Sequence, residues 1–261
     1  MKRYLIILLI LISTCLYLSM LETCDLPTDP GPMPKNLINV TFEPGLNVFG
    51  VLRADGDSGS SFIHVEKALT TEQMYEEADI FDTTATVQIT DSLTGDVFLF
   101  EAIGDTTYRG YYFNDEFIPE SGRHYSLEIR SETLPSLTAV TTVPVRPELI
   151  SNTLTITKNQ AAFQLQAAAG VYQYNCYLFF GEDYLEKQVS NSGAGIKTIT
   201  IDISNKNSSP TGLVIIGYDM NLTAYLNSSP SFVPQTFHEM VNTVENGYGC
   251  FGSLAVTIIE L

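Results

Sequence analysis

The 261 residues carry a formal net charge of −17, which argues against a nucleic-acid partner because such partners require basic surface. Tyr and Phe number 14 each and Trp is absent. Thr, Ser, Val and Ile are abundant and no long amphipathic helical pattern follows the N-terminal run, so the composition favours an all-β protein. Four cysteines in a chain of this length exclude a disulfide-dense scaffold.

The N-terminal residues have the layout of an export signal. Two basic residues precede a nearly unbroken apolar run, residues 4–21, and Cys24 stands where the chain turns polar. We expect residues 1–23 to be a lipoprotein signal peptide and the sulfur of Cys24 to receive lipid. Cys15 is the alternative lipid site. An uncleaved membrane helix is the alternative interpretation, because the run has about the minimum spanning length of roughly 18 to 20 residues.

The organisation of the remaining chain is predicted from its prolines and strand-like runs. Residues 24–36 contain four prolines and are predicted to form an extended stalk. Beyond the stalk, strand-like runs of roughly five to eight residues recur between turn residues. Prolines at both ends of residues 144–147 favour a linker. We therefore predict two antiparallel β-sandwich domains, immunoglobulin-like or transthyretin-like, over residues 37–147 and 148–261.

Two short segments favour helix. Residues 70–81 begin with Thr70 and Gln73, which resemble a capping box, and this segment is acidic. Residues 219–227 place three apolar side chains on one side of a helix. We expect both to be excursions from the sheets.

Aromatic residues cluster around one strand and the loops beside it. The candidate ligand contacts are Tyr108, Tyr111, Tyr112 and Phe117. Rings on a glycan-binding surface would stack on sugar rings, whereas the alternating half of such rings in a sandwich would fill the core. Both interpretations remain open at the level of sequence.

The cysteines and histidines of the body do not form a recognisable reaction centre. Cys176 and Cys250 both lie among apolar or aromatic neighbours, so a disulfide and a pair of buried thiols both remain open. The three histidines are far apart and lack ligand-spaced partners. We therefore predict no catalytic residue, no metal site and no cofactor.

Two segments resemble a known family. One is Glu-Pro-Gly-Leu-Asn-Val-Phe-Gly-Val-Leu at residues 43–52, followed by residues 61–65. The other is residues 241–252, which end in Asn-Gly-Tyr-Gly-Cys-Phe-Gly. With the lipoprotein start, they resemble the domain of unknown function 4249 family of Bacteroidota-type bacteria, although Cys250 stands where an apolar residue is expected. The resemblance implies an outer-membrane lipoprotein, often associated with TonB-dependent transporters, and brings no catalytic residues.

These observations lead to expectations about function and about the glycine-rich segment. We expect a non-enzymatic outer-membrane lipoprotein that is an accessory or binding partner of a TonB-dependent transporter. The alternative is a self-contained surface module that binds glycans or peptides. Residues 246–252 are expected to pack inside the second domain or at the junction, with the rings of Tyr248 and Phe251 covered.

Overall fold

The computed structural model of the chain describes residues 42–55, 57–70, 73, 81–103, 111–228 and 241–261. All of them belong to one compact unit, Phe42–Phe232 with His238–Leu261. The predicted all-β class is confirmed, because the part of the chain that the structure describes contains sixteen strands and one short helix. The helix predicted over residues 70–81 lies almost entirely outside the described residues.

Strands such as β3, β6 and β7 in the first half carry alternating buried and more exposed side chains, as expected for sheets with one face in a core. In chain order they are β1 (Leu46–Ala54), β2 (Phe62–Lys67), β3 (Thr86–Asp91), β4 (Val97–Ile103), β5 (Tyr111–Phe113), β6 (His124–Arg130) and β7 (Leu137–Thr142).

The second half contains further strands and the helix predicted near residue 219. The elements are β8 (Glu148–Leu149), β9 (Thr155–Ile156), β10 (Gln160–Gln166), β11 (Gln173–Phe180), β12 (Asp183–Ser190), β13 (Ile196–Asp202), β14 (Gly212–Tyr218), α1 (Met220–Asn227), β15 (Val244–Glu245) and β16 (Gly247–Glu260). Helix α1 begins after Asp219, whose side chain accepts a hydrogen bond from the backbone N–H of Leu222 and caps the first turn.

Hydrogen bonding links most strands into one long path. Among the described strands its order is β12-β11-β14-β16-β1-β2-β5-β4-β3-β6-β7-β15, and β13-β10-β8 form a smaller sheet in which β9 also pairs with β10. Strand β4 connects two parts of the path, since its first residues pair with β3 and its last residues pair with β5.

The buried side chains form two main cores. The first core contains side chains of β1 to β7 and β16, including Leu52, Ile89 and Leu127. The second core lies between the small sheet and strands β11 and β14, where Phe163 packs with side chains such as Ile215. Each core is enclosed by strands from two parts of the sheet system, which is the layering of a β-sandwich.

Strand β16 contributes to both cores. Residues 247–255 pair in parallel with β1, whereas residues 254–260 pair antiparallel with β14. Phe251 and Ala255 therefore belong to the first core, although the sequence prediction places them in a C-terminal domain over residues 148–261. The division into residues 37–147 and 148–261 stays a prediction, and β16 links the two ranges through its pairing with β1 and β14. The parallel pairing of β16 with β1 departs from the predicted antiparallel sheets, because two strands that no hairpin connects are free to run parallel.

The glycine-rich segment packs against the first core rather than inside the second. Phe251 is fully buried, as expected, but Tyr248 is 41% exposed. The Tyr248 hydroxyl donates a 2.9 Å hydrogen bond to the backbone carbonyl of Glu43. Gly249 has a φ of 110° and lies directly beside Val48 of β1, so its missing side chain permits the parallel pairing.

The predicted linker at residues 144–147 is held against β16 by two hydroxyl groups. Ser253 Oγ donates to the carbonyl oxygen of Thr142 at 3.0 Å, and Thr257 Oγ1 donates to that of Pro147 at 2.5 Å. The polar positions of β16 thus lie where one core ends and the other begins. They connect the passage between the cores to the strand that both cores share.

Candidate junction cleft

A cleft of about 600 Å³ opens beside this passage, and we call it the junction cleft. It is lined by residues of the β3–β4 turn, β6, β7, the segment before β11 and helix α1. The lining residues are Ser92, His124, Tyr125, Val140, Thr141, Thr142, Gly170, Tyr172, Asp219, Met220 and Asn221. Its size and its mixture of apolar and polar groups are those of a small binding site.

Asp219 lies at the base of the junction cleft and its carboxylate is committed to the fold. One oxygen, Oδ1, accepts the backbone N–H of Leu222 at 2.7 Å, and the other, Oδ2, accepts the hydroxyl of Thr141. Burial raises the pKa of the Asp219 carboxyl above its ordinary value, although the hydrogen bonds from Thr141, Leu222 and Ser253 act in the opposite direction. The carboxyl group therefore fixes the start of α1 rather than facing a ligand.

Asn221 joins the same helix to two strands. Its side-chain amide donates to the carbonyl oxygen of Val140 on β7 at 2.8 Å and to that of Phe251 on β16 at 2.9 Å. Thr141 and Ser253 face each other across the same junction, with 3.1 Å between their hydroxyl oxygens. The cleft thus has a floor held by hydrogen bonds, which gives it a defined shape before any ligand arrives.

The rim of the junction cleft is more exposed and more apolar than its floor. Tyr172 is 50% exposed, and Val140 and Met220 are also exposed. His124 lies beside them, with its Nδ1 2.6 Å from the hydroxyl oxygen of Thr142. Exposed apolar side chains around a few fixed polar groups suit binding through shape and surface burial. Within the described residues, no group of three or more His, Cys, Asp or Glu side chains is placed to hold a metal ion.

Two of the four predicted aromatic contacts are core residues. Phe117 packs against Phe98 at a ring-centroid distance of 4.8 Å and is 1% exposed. Tyr112 is equally buried, and its hydroxyl donates to the carbonyl oxygen of Asp82 at 2.6 Å. Burial and the Asp82 charge raise the pKa of Tyr112 to about 12. Neither ring reaches a ligand, so this part of the prediction is corrected.

The other two aromatic contacts have different outcomes. Tyr111, next to Tyr112 in sequence, points to the opposite face of β5 and is 41% exposed. It contacts the rings of Phe62 and Phe113 at 6.3 and 6.5 Å. Tyr108 lies outside the described residues.

Cys176 and Cys250 are both buried free thiols, so the alternative of a disulfide is ruled out in this structure. Cys176 aligns across β14 with Thr257, seven residues beyond Cys250 along β16. That offset is roughly 23 Å along a strand, whereas bonded cysteines have Cα atoms within about 7 Å of each other. Burial raises the pKa of both thiols to about 12.

The predicted lipid sites, Cys24 and Cys15, lie outside the described residues, as do the predicted signal peptide and the predicted stalk. Among the residues that the structure does describe, there is no helix with the length and apolar character required to cross a membrane.

The sequence interpretation missed the junction cleft. It predicted the helix over residues 219–227, but it assigned no site to it. The available signal was the Asp at the start of a short helix, which identifies a cap and not a cleft. Val140 of β7 and Tyr172, just before β11, line the same cleft although β7 and β11 belong to different cores.

The described fold is that of an all-β protein built from sandwiched sheets. The profile of a family described as Domain of unknown function (DUF4249) matches residues 32–188, more than half of the chain. The chain belongs to this family, as the resemblance at residues 43–52 indicates; residues 241–252, the second resembling segment, lie beyond the match. No curated protein matches the chain.

Solved structures with some similarity contain fibronectin-type or immunoglobulin domains. The FN1–FN3 domains of chicken CNTN1 share 13% identity at a TM-score of 0.30, and the match covers 82% of this chain and 62% of that chain. Dpr11 IG1 bound to DIP-gamma IG+IG2 gives 9% identity, a TM-score of 0.23 and coverage of 81% and 99%. DIP-gamma IG1+IG2 shares 8% identity at a TM-score of 0.23, and the match covers 81% of this chain and 98% of that chain. TM-scores of 0.30 and below do not establish a shared fold. The assignment of a β-sandwich therefore depends on the sheets and cores described above.

Proposed function

We propose that the protein is a non-enzymatic binding protein, anchored to the outer membrane by lipid at Cys24, that serves as an accessory partner of a TonB-dependent transporter. The junction cleft is the observation that carries this proposal. Both carboxylate oxygens of Asp219 accept hydrogen bonds within the fold, whereas the exposed residues on the rim of the cleft are available for contact with a partner. The family membership is consistent with this role but supplies no activity of its own.

The physical character of the cleft favours a protein partner. Tyr172 and Met220 are large, exposed side chains next to a floor that hydrogen bonds hold in place. Aromatic residues and Met are enriched at protein interfaces because they bury large apolar areas at a small cost in conformational entropy. The net charge of −17 favours solubility and disfavours adhesion to anionic lipid surfaces.

We also propose a finer description of the architecture. The two cores represent two sandwich domains of immunoglobulin-like or transthyretin-like type, which share β16 instead of being separated at residue 148. In this arrangement the stalk over residues 24–36 holds the first domain away from the membrane, and the junction cleft opens between the two cores. The single strand common to both cores supports this description.

Affinity purification from native membranes tests the function. The tagged protein should recover a TonB-dependent transporter, identified by mass spectrometry, and Tyr172→Ala should reduce the recovered amount about tenfold. Tyr184→Ala is the matched control, because Tyr184 is a similarly exposed tyrosine on β12, outside the cleft. Recovery of no transporter by the wild-type protein would refute the proposal. Equal recovery by the wild type and the Tyr172→Ala variant would exclude the junction cleft as the contact.

A self-contained glycan- or peptide-binding module is the second candidate that the sequence suggests. Two of the aromatic residues predicted for this surface, Tyr112 and Phe117, are buried in the core. Among the described candidates, Tyr111 is the exposed ring. A single ring does not favour this surface over the junction cleft.

A further inference from the structure

A second surface combines one exposed ring and two half-buried rings with side-chain amides, and it lies on the outer face of β11 and β12. The register places Asn175 opposite Gln188, Tyr177 opposite Glu186, and Phe179 opposite Tyr184. The intervening side chains of β11, including Cys176 and Leu178, point the other way into the second core. We call this set of six outward side chains the amide–aromatic face.

The rings occupy one end of the amide–aromatic face. Tyr184 is 54% exposed and contacts the ring of Tyr177 at a centroid distance of 5.5 Å and that of Phe179 at 5.8 Å. The two neighbouring rings support Tyr184 from one side and leave much of it open to solvent. A supported and exposed ring is a rigid apolar platform that loses little conformational freedom when a ligand covers it.

The other end of the face is a network of polar groups. Asn175 Nδ2 donates to Glu186 Oε1 at 2.8 Å, and the hydroxyl of Tyr177 donates to the same oxygen at 3.3 Å. Gln173 Nε2 donates to Asn175 Oδ1 at 3.1 Å. The groups are therefore oriented by each other before any ligand binds.

Helix α1 extends this network and fixes the position of Gln188. Gln188 Nε2 donates to Asn227 Oδ1 at 3.3 Å, and Asn227 Nδ2 donates to Gln173 Oε1 at 2.9 Å. Each primary amide carries two N–H donors and a carbonyl oxygen with two lone pairs, so these contacts use only part of its capacity. Donors and acceptors remain next to one another at the surface.

We propose that the amide–aromatic face binds a neutral saccharide chain, with one sugar ring stacked on Tyr184 and the hydroxyl groups of the following sugar units hydrogen-bonded to Glu186, Asn175 and Gln188. Tyr184 and Gln188 are four residues apart on β12, about 13 Å, so the face spans more than one sugar unit. A pyranose has an apolar C–H face, which suits an exposed aromatic ring. Its hydroxyl groups both donate and accept, which suits adjacent amides and a carboxylate. Glu186 is an acidic residue of the face, and an acidic residue there disfavours acidic sugars.

The observations favour a saccharide over a peptide. An extended peptide would add to the sheet through the backbone of β12, an edge strand of the described path, and would not need outward-facing amides. The amide–aromatic face instead presents its ordered donors and acceptors from side chains, on the face and not at the edge. This site is separate from the junction cleft, so the proposal goes beyond transporter binding and does not depend on it.

Native gel electrophoresis through neutral polysaccharides tests the proposal. Gels containing starch, laminarin, xylan or galactomannan are run beside a gel without polysaccharide, with carboxymethyl cellulose as the acidic comparison. At least one neutral polysaccharide should retard the wild-type protein. Tyr184→Ala should weaken the retardation about tenfold, whereas Tyr184→Phe, which keeps the ring, should retain most of it.

Tyr172→Ala is the matched control for this experiment and should migrate like the wild type, because Tyr172 belongs to the junction cleft. Gln188→Ala is a second variant, which tests the amides if Tyr184→Ala fails to fold. Unchanged mobility of the wild type in every neutral gel would overturn the proposal, as would equal retardation of wild type and Tyr184→Ala. Binding of an extended peptide without any retardation by polysaccharide would assign the surface to strand addition instead.

The two experiments separate the two proposals. Loss of retardation in Tyr184→Ala with transporter recovery intact supports the saccharide site, whatever effect Tyr172→Ala has on transporter recovery. Failure to recover a transporter refutes the accessory function and leaves the gel result unaffected.

Discussion

Replacing Gly249 by Val should destabilise the protein strongly, because of the parallel contact between β16 and β1. A Cβ atom at Gly249 would lie 2.0 Å from the carbonyl oxygen of Val48 and 2.9 Å from its carbonyl carbon. Both atoms belong to the backbone of β1, which is also paired with β2 through Val65. The strand cannot move away without breaking hydrogen bonds on one side or the other.

The cost has two parts. A side chain at a φ of 110° costs about 1–3 kcal/mol in backbone strain, and the collision adds about 1–3 kcal/mol of overpacking. The sum of about 2–6 kcal/mol corresponds to a fall in Tm of roughly 5–20 °C for a protein of this size. Thermal unfolding followed by circular dichroism measures it.

Gly122→Val is the matched control, because Gly122 also has a positive φ, 80°, but a Cβ added there would meet no atom of the described residues within 4 Å. This variant should lose only the strain of the backbone, about 1–2 kcal/mol. If Gly249→Val and Gly122→Val lower the Tm equally, the close approach of Val48 to Gly249 is refuted.

Three further predictions concern single groups. Burial raises the pKa of the Asp219 carboxyl above 3.8, so the folded protein keeps this proton at pH values where the unfolded chain has released it. The wild type should therefore lose stability relative to Asp219→Asn as the pH rises from 3.8 through the pKa of the folded state. Urea titrations of both proteins at several pH values measure this, and the absence of the trend would contradict the burial of the carboxyl. Cys176 and Cys250 should resist iodoacetamide in the native protein at about pH 7.5, because both thiols are buried and have a pKa of about 12. Both should react after unfolding without reductant, because they are free thiols. A requirement for reductant would indicate a disulfide. Mass spectrometry should find a diacylglyceryl group on Cys24 at the mature N-terminus, and a mature peptide that begins elsewhere would contradict the predicted signal.

The local elements could be predicted because their causes are local. Apolar residues alternate along β3 and β6, and strands of this kind correspond to the strand-like runs predicted between turn residues. The short helix α1 followed from the Asp at position 219 and the apolar side chains after it. Each of these elements depends on residues within a few positions of one another.

The pairing partners of the strands, and the face of each strand that is buried, could not be predicted in the same way. Tyr111 and Tyr112 are adjacent, and alternation requires them to face opposite sides, but only the register with β2 decides which ring enters the core. The parallel pairing of β16 with β1 joins residues from opposite ends of the described chain, and no turn marks it. Both binding surfaces proposed above depend on such pairings, so the sequence alone did not reveal them.

The sharing of β16 has a consequence for how the protein folds. The parallel pairing of β1 begins with Leu46 and Gly247, so it cannot form before the end of the chain folds against β1. The first core stays incomplete until Phe251 packs into it. Contacts this distant in sequence close slowly, because a long loop must be ordered before they form. Until then β1 is an unpaired edge beside exposed apolar side chains, which is the feature that promotes aggregation. A chain synthesised from its N-terminus has that open edge until residues 247–255 are made, so protection of β1 during this interval becomes a requirement of this topology.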